Sequence, residues 1–187
     1  GHPLLSHAFL HAMHESGAAC EDTGWAPRYL LLRDGTELRG ALPLYLKSHS
    51  YGEYVFDWAW ADAWSRAGRH YYPKLLSAIP FTPVTGPRVL APDAGSRALL
   101  VRAALQFARE SEIDTFHCLF PTEPEAREFE RLGCMTRRTV QFHWTNDGFA
   151  TFDDFLARMN HAKRKKLKQE RRKVRESGIE FTWKVGR

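Results

Sequence analysis

Twelve of the twenty-seven Lys and Arg residues lie in the last thirty positions, Arg158 to Arg187, against three acids, Glu170, Glu176 and Glu180. That segment carries +9, whereas the 157 residues before it hold fifteen bases and nineteen acids, or −4. Charge at this density stays in water, because burying unpaired ions is costly. The globular body is therefore the slightly acidic first part of the chain, with a cationic helix near its end. A chain of 187 residues suggests one domain with a real core. A solvated face is the usual fate of a charge run. A net charge of +9 also suits a polyanion, an anionic lipid face or an acidic protein surface.

No apolar run approaches the roughly 20 residues of a membrane span, and no signal peptide opens the chain. Cys20, Cys118 and Cys134 are odd in number, far apart and without metal-ligand spacing. They predict buried thiols in a reducing cytoplasm, and no metal site. The chain lacks an initiator Met and stops after a strand-like run. Both features predict a piece of a longer protein.

The pattern along the chain alternates helices and strands. Ser6 caps an expected helix from His7 to Glu15 that Gly17 ends. Asp34-Gly35 between Tyr29–Arg33 and Leu38–Leu46 predicts a hairpin, with Pro43 marking an edge or bulge. Ser48 to Trp60 reads as an aromatic loop or irregular strand, and Ala61 to Ala78 as a helix interrupted near Pro73. A short strand is expected at Val89-Leu90, a helix over Ala94–Glu110, a strand over Thr115–Phe120 and a helix over Glu123–Leu132 ended by Gly133. Arg138–Thr145 alternates as a strand. Thr151 opens a capping box with Asp154, beginning one helix expected to reach Ser177, and Ile179–Val185 alternates as a strand. Together these predict an α+β fold, a mixed and largely antiparallel sheet with helices on both faces.

Phe152-Asp-Asp-Phe-Leu156, the run Lys163-Arg-Lys-Lys-Leu-Lys-Gln-Glu-Arg-Arg-Lys173 and Gly178-Ile-Glu-Phe181 resemble the basic helix and following strand of FemAB-like acyltransferases of the GNAT superfamily. Ser6–Leu10, Pro43–Trp60, Pro80–Arg88 and Gln141–Trp144 are similar to the N-acyltransferases named for peptidoglycan biosynthesis or recognition. The resemblance runs over nearly the whole chain. It implies a GNAT-like sheet in residues 1–150, with residues 151–187 leading into a second GNAT-like half outside this chain. Relatives of this kind move an aminoacyl group from aminoacyl-tRNA to an amine of a cell-wall precursor. The Gln/Arg-x-x-Gly-x-Gly/Ala loop, which holds the acyl-CoA pyrophosphate of GNAT enzymes on helix N-terminal amides, is absent from this sequence. Either the second half carries it or the donor is not CoA. No cofactor is expected in this chain itself.

Amine acylation needs a base for the ammonium proton and donors for the tetrahedral oxyanion. Asp57, between Phe56 and Trp58, is the first choice for the base, with His49 beside it. Desolvation by Trp58 and Trp60 is expected to raise a carboxylate pKa there. As an alternative, Asp57 is a turn carboxylate and the rings are core. Lys47, Ser48, Tyr51 and Glu53, with Trp58 and Trp60, are candidate acceptor contacts. Thr82, Thr85, Gly86 and Arg88 offer a further wall or phosphate contact, against a plain turn. His143 reads more simply as a sheet histidine, and Cys118 as a strand thiol facing away from His117. Lys163, Arg164, Lys165, Lys166, Lys168, Arg171 and Arg172 are candidates for tRNA phosphates, which salt would weaken. The expected function is N-acyl transfer to a small-molecule or cell-wall acceptor. The competing expectation is a catalytically silent GNAT-like module that binds a cell-wall or nucleic-acid ligand.

Overall fold

A computed structural model describes residues 2–183. The chain divides into two compact units, Gly1–Arg137 and Arg138–Arg187.

The first unit opens with a 3-10 turn, Pro3–Leu5, and then α1, His7–Glu15. The Ser6 side chain accepts a hydrogen bond from the Phe9 N–H, so the expected cap is the observed one. A four-stranded sheet follows the order β1 (Trp25–Pro27), β4 (Tyr45–Lys47), β5 (Lys74–Ser77) and β6 (Phe116–Cys118). The first two pairings are antiparallel and β5 with β6 is parallel. The strands β2 (Leu30–Asp34) and β3 (Glu37–Leu42) form a separate hairpin. Its loop is Gly35-Thr36, one residue later than the Asp-Gly pair predicts, with Asp34 paired to Glu37. Gly35 supplies the positive φ (58°) of the first central position. Pro43 ends β3, and the chain then crosses into the other sheet as β4.

Every residue of β5 is buried. Leu75 belongs to a core with Leu42, Leu44, Val89, Leu100, Val101, Ala104 and Phe129. Leu76 belongs to another with Ala19, Trp25, Tyr45 and Ala78. Successive strand residues face opposite sides, so the sheet has two covered faces. One carries α3 (Ala94–Glu110) and α4 (Glu123–Arg131), and the other meets Met13 of α1. The fold is α+β with a mixed, mostly antiparallel sheet between helices, as the alternating pattern predicts.

The expected helix over Ala61–Ala78 is corrected. The helix is α2, Trp58–Arg66, and the remainder contains β5. A run as short as Lys74–Ser77 fits either period, and only its pairing with β4 and β6 decides it. Val89-Leu90 forms a single bridge, Leu90 to Ala41.

In the second unit, the helix expected from Thr151 to Ser177 is two: α5, Phe152–Ala157, and α6, His161–Glu176. The Thr151–Asp154 capping box is present. Asn160 then begins a second helix by accepting from the Lys163 N–H. The Arg164 guanidinium donates to the carbonyls of Leu156, Ala157 and Met159, at the end of α5 and just beyond it. The strands expected at 138–145 and 179–183 are not formed. Their alternation is real, but no strand pairs with them among the described residues, and Phe142 is 98% exposed. Val185, the last residue of that expected strand, lies outside the described residues.

Candidate functional site

The pairing of β4 with β5 sets Lys47 directly opposite Lys74. Both residues are completely buried. Ser50, Glu53 and Asp57, all buried, come from the loop that follows β4. The Lys74 ammonium donates to Ser50 Oγ (2.7 Å), Glu53 Oε2 (2.8 Å) and Asp57 Oδ2 (2.7 Å), which uses all three of its protons. Asp57 Oδ2 also accepts from Tyr71 Oη (2.8 Å) and Ser50 Oγ (3.0 Å). Ser50 Oγ shares a 2.7 Å hydrogen bond with Tyr72 Oη. Lys47 Nζ donates to the Tyr51 carbonyl (3.3 Å) and lies 3.9 Å from the centroid of the Trp25 ring.

The electrostatics separate the two carboxylates. Burial pushes Asp57 up, but Lys74, Tyr71 and Ser50 outweigh it and hold the group below its usual value. Burial also acts on Glu53, and there Lys74 offsets only part of it, so Glu53 is raised. Lys47 is lowered to about 8, chiefly by burial; the Lys74 charge adds to this and Glu53 opposes it. His117, packed edge-on to Tyr71, is lowered by burial and by Lys74 to about 4. Glu53 Oε1 and Asp57 Oδ1 are buried without a hydrogen-bond partner among the described residues. Each carboxylate thus has one oxygen bonded to Lys74 and one without a partner among the described residues.

Above this cluster the loop turns its rings outward. Tyr51 (65% exposed) and Trp58 (51%) meet edge-on at 5.5 Å, and Trp60 is exposed beside them on α2. His49 is half-buried, accepts from the Tyr51 N–H at Nδ1 and lies edge-on to the Tyr51 ring. Gly52 has φ 81°, and a Cβ there would lie 2.6 Å from the Phe81 ring, so the loop can pass that ring only at glycine.

Two sequence expectations are corrected here. Trp58 and Trp60 do not desolvate Asp57 into a raised pKa; both rings are exposed, and the ion pair with Lys74 lowers it. Arg88 offers no fork to a phosphate. Its guanidinium donates to the carbonyls of Val84, Gly86, Pro87 and Leu119, and the residue is buried. Thr85 and Ser48 are exposed, and Thr82 bonds the Pro80 carbonyl. Asp62 pairs with Arg66 on the surface of α2. His143 lies exposed in the second unit. Cys118 packs against the larger core and its thiol is raised by burial, while His117 meets Tyr71. The seven basic candidates all lie on α6, exposed except for half-buried Arg164. Lys74 is the residue that sequence reasoning missed. A lysine inside the run Tyr71-Tyr72-Pro73-Lys74-Leu75-Leu76 was the signal, hidden by reading that run as helix.

All 187 residues match the FemAB-like family, described as peptidoglycan biosynthesis/recognition. The chain belongs to the FemAB-like family. No curated protein and no solved structure matches it. The FemAB-like assignment carries a role connected with peptidoglycan, and with it a cell-wall precursor as the partner class. Among the described residues of this FemAB-like chain, no helix is long and apolar enough to cross a membrane.

Proposed function

We propose that this chain carries the acceptor site of an N-acyltransferase that moves an acyl or aminoacyl group onto an amine of a cell-wall precursor. The observation that supports this most is a raised carboxylate, Glu53, set in sequence between an exposed ring pair, Tyr51 on the same loop and Trp58 at the start of α2. The rings receive the acceptor. Glu53 Oε1 takes the ammonium proton, because a raised pKa brings it closer to that of an amine. The neutral nitrogen attacks the donor carbonyl, the N–C bond forms, the C–O or C–S bond breaks, and the proton that the acylated nitrogen sheds passes to the leaving oxygen or sulfur. Asp57, the first choice from the sequence, is better suited to anchoring Lys74, since three donors already occupy its Oδ2.

The donor, aminoacyl-tRNA or acyl-CoA, belongs to this same proposal. So do a second lobe to hold it and a cytoplasmic location, which three free thiols favour. A binding module without turnover is the second reading. It is favoured by the complete burial of the Glu53 and Lys74 side chains, which an amine would have to reach.

The test is transfer of a labelled acyl or aminoacyl group to a cell-wall precursor amine by the full-length protein. Glu53→Gln is expected to abolish turnover, and Trp58→Ala to raise KM with little change in kcat. Acceptor binding without turnover in the unaltered protein would establish the second reading instead.

A further inference from the structure

The second unit holds a cleft that the transfer reaction does not use. Trp144, Asn146, Phe149, Thr151, Phe152 and Phe155 line it. Its two polar side chains are engaged in local backbone hydrogen bonds. Asn146 donates to the Phe149 carbonyl and accepts from the Phe149 N–H, and Thr151 Oγ1 accepts from the Asp154 N–H. What remains is ring surface: Trp144 and Phe149 each meet Phe155 edge-on, and Phe152 lies 5.6 Å from it. Trp144 remains 68% exposed.

Cations sit directly on these rings. The Arg171 guanidinium lies 4.1 Å from the centroid of Phe152, and that of Arg158 lies 5.8 Å from Phe149. Arg171 belongs to α6, which has nine Lys and Arg against two Glu, net +7, and buries no residue. The acids nearby are Asp147, paired with Arg158; Asp153, near Lys168; and Asp154, held in the capping box. They neutralise a small part of the field.

We propose that this face docks on an anionic lipid bilayer, with the Trp144 cleft entering the headgroup and acyl boundary and α6 lying over the phosphates. Charge complementarity identifies the partner as anionic, and the dry cleft identifies it as apolar below its charged layer. A bilayer with acidic headgroups combines both. One apolar insertion together with a polybasic segment is the two-signal arrangement that stable surface anchoring needs. RNA fits less well. Stacking on bases needs rings interleaved with the cations along one groove, whereas α6 itself contains no aromatic ring except His161.

The test is co-sedimentation of the full chain with vesicles of phosphatidylcholine alone or mixed with phosphatidylglycerol, at low and high salt. Binding is expected only to the mixed vesicles, and it should weaken with salt. Trp144→Ala and the double variant Lys165→Glu/Lys166→Glu should each weaken it by about tenfold or more. All three side chains are exposed, so folding is not at stake. Brominated acyl chains should quench the fluorescence, and less so in Trp144→Phe. No binding to the mixed vesicles overturns the proposal. So does binding that Trp144→Ala leaves unchanged and bromine does not quench, which is adsorption by charge alone. Binding of tRNA by a chain that does not sediment with the mixed vesicles assigns the surface to nucleic acid and also overturns it.

Discussion

Lys47 and Lys74 face each other across β4 and β5 as direct register partners, and neither side chain reaches water. Two ammonium groups opposed on one covered sheet face repel each other, and among the described residues the loop after β4, with Glu53 and Asp57, balances them. The sheet end and the loop are thus one electrostatic unit.

Removing the cation at the centre should be costly. Lys74→Met leaves Glu53 and Asp57 buried and unpaired, and a loss of about 3–5 kcal/mol is expected in urea unfolding. Adding Asp57→Asn to it should recover part of that loss, since Glu53 then remains as the countercharge of buried Lys47. A double variant as unstable as the single one would show that packing, not charge, sets the cost.

Lys47 gives the stability a pH dependence of known sign. Its folded value of about 8 lies below the ordinary 10.5, so between these values the unfolded chain binds more protons than the folded one. Its contribution to stability therefore rises with pH across that window and is lost as pH falls through about 8. Lys47→Met should remove this rise. The difference between the unfolding free energies of the two proteins, followed from pH 7.5 upward, about half a unit below the folded value, is the measurement.

Arg88 should behave as a structural residue. It donates four hydrogen bonds to backbone carbonyls, and its own N–H and that of Val89 donate to Glu125 Oε1. Arg88→Lys keeps the charge but cannot reach four separated oxygens. A loss on the order of 3 kcal/mol is expected, without a selective change in acceptor affinity once the protein is folded. A variant of full stability with weakened acceptor binding would return Arg88 to the site.

The start of α6 depends on one side chain. Asn160→Ala should cost about 1 kcal/mol and reduce helical circular dichroism. It should leave the Lys74 cluster untouched, so acceptor binding is expected to hold. Unchanged helicity would mean that the Arg164 contacts to the end of α5 are sufficient.

Much was readable locally. The Ser6 cap, the hairpin around Gly35, α3, α4 and the Thr151 capping box each depend on residues within a few positions of one another. Tyr51, Glu53, Asp57 and the exposed charge of α6 were readable too, since an aromatic loop and a charge run are visible as strings. The break at Asn160 was missed because the apolar stripe of Phe152, Phe155, Leu156, Met159 and Leu167 continues across it. The strand period at 138–145 was read correctly as a pattern, yet a pattern becomes a strand only when another strand pairs with it.

The amino-acid order alone determined the helix caps and the hairpin turn, where charge must stay in water, and that a ring-bearing loop follows β4. It did not determine the partners of Lys74 or the fate of Arg88. A buried charge is stable only where register and chain crossings bring compensating groups within about 3 Å, and those groups lie 17 to 24 residues from Lys74 and up to 31 from the Arg88 guanidinium. Distances of that kind along the chain become contacts only through tertiary folding, which made Asp57 an anchor, Glu53 the raised carboxylate and Arg88 a brace.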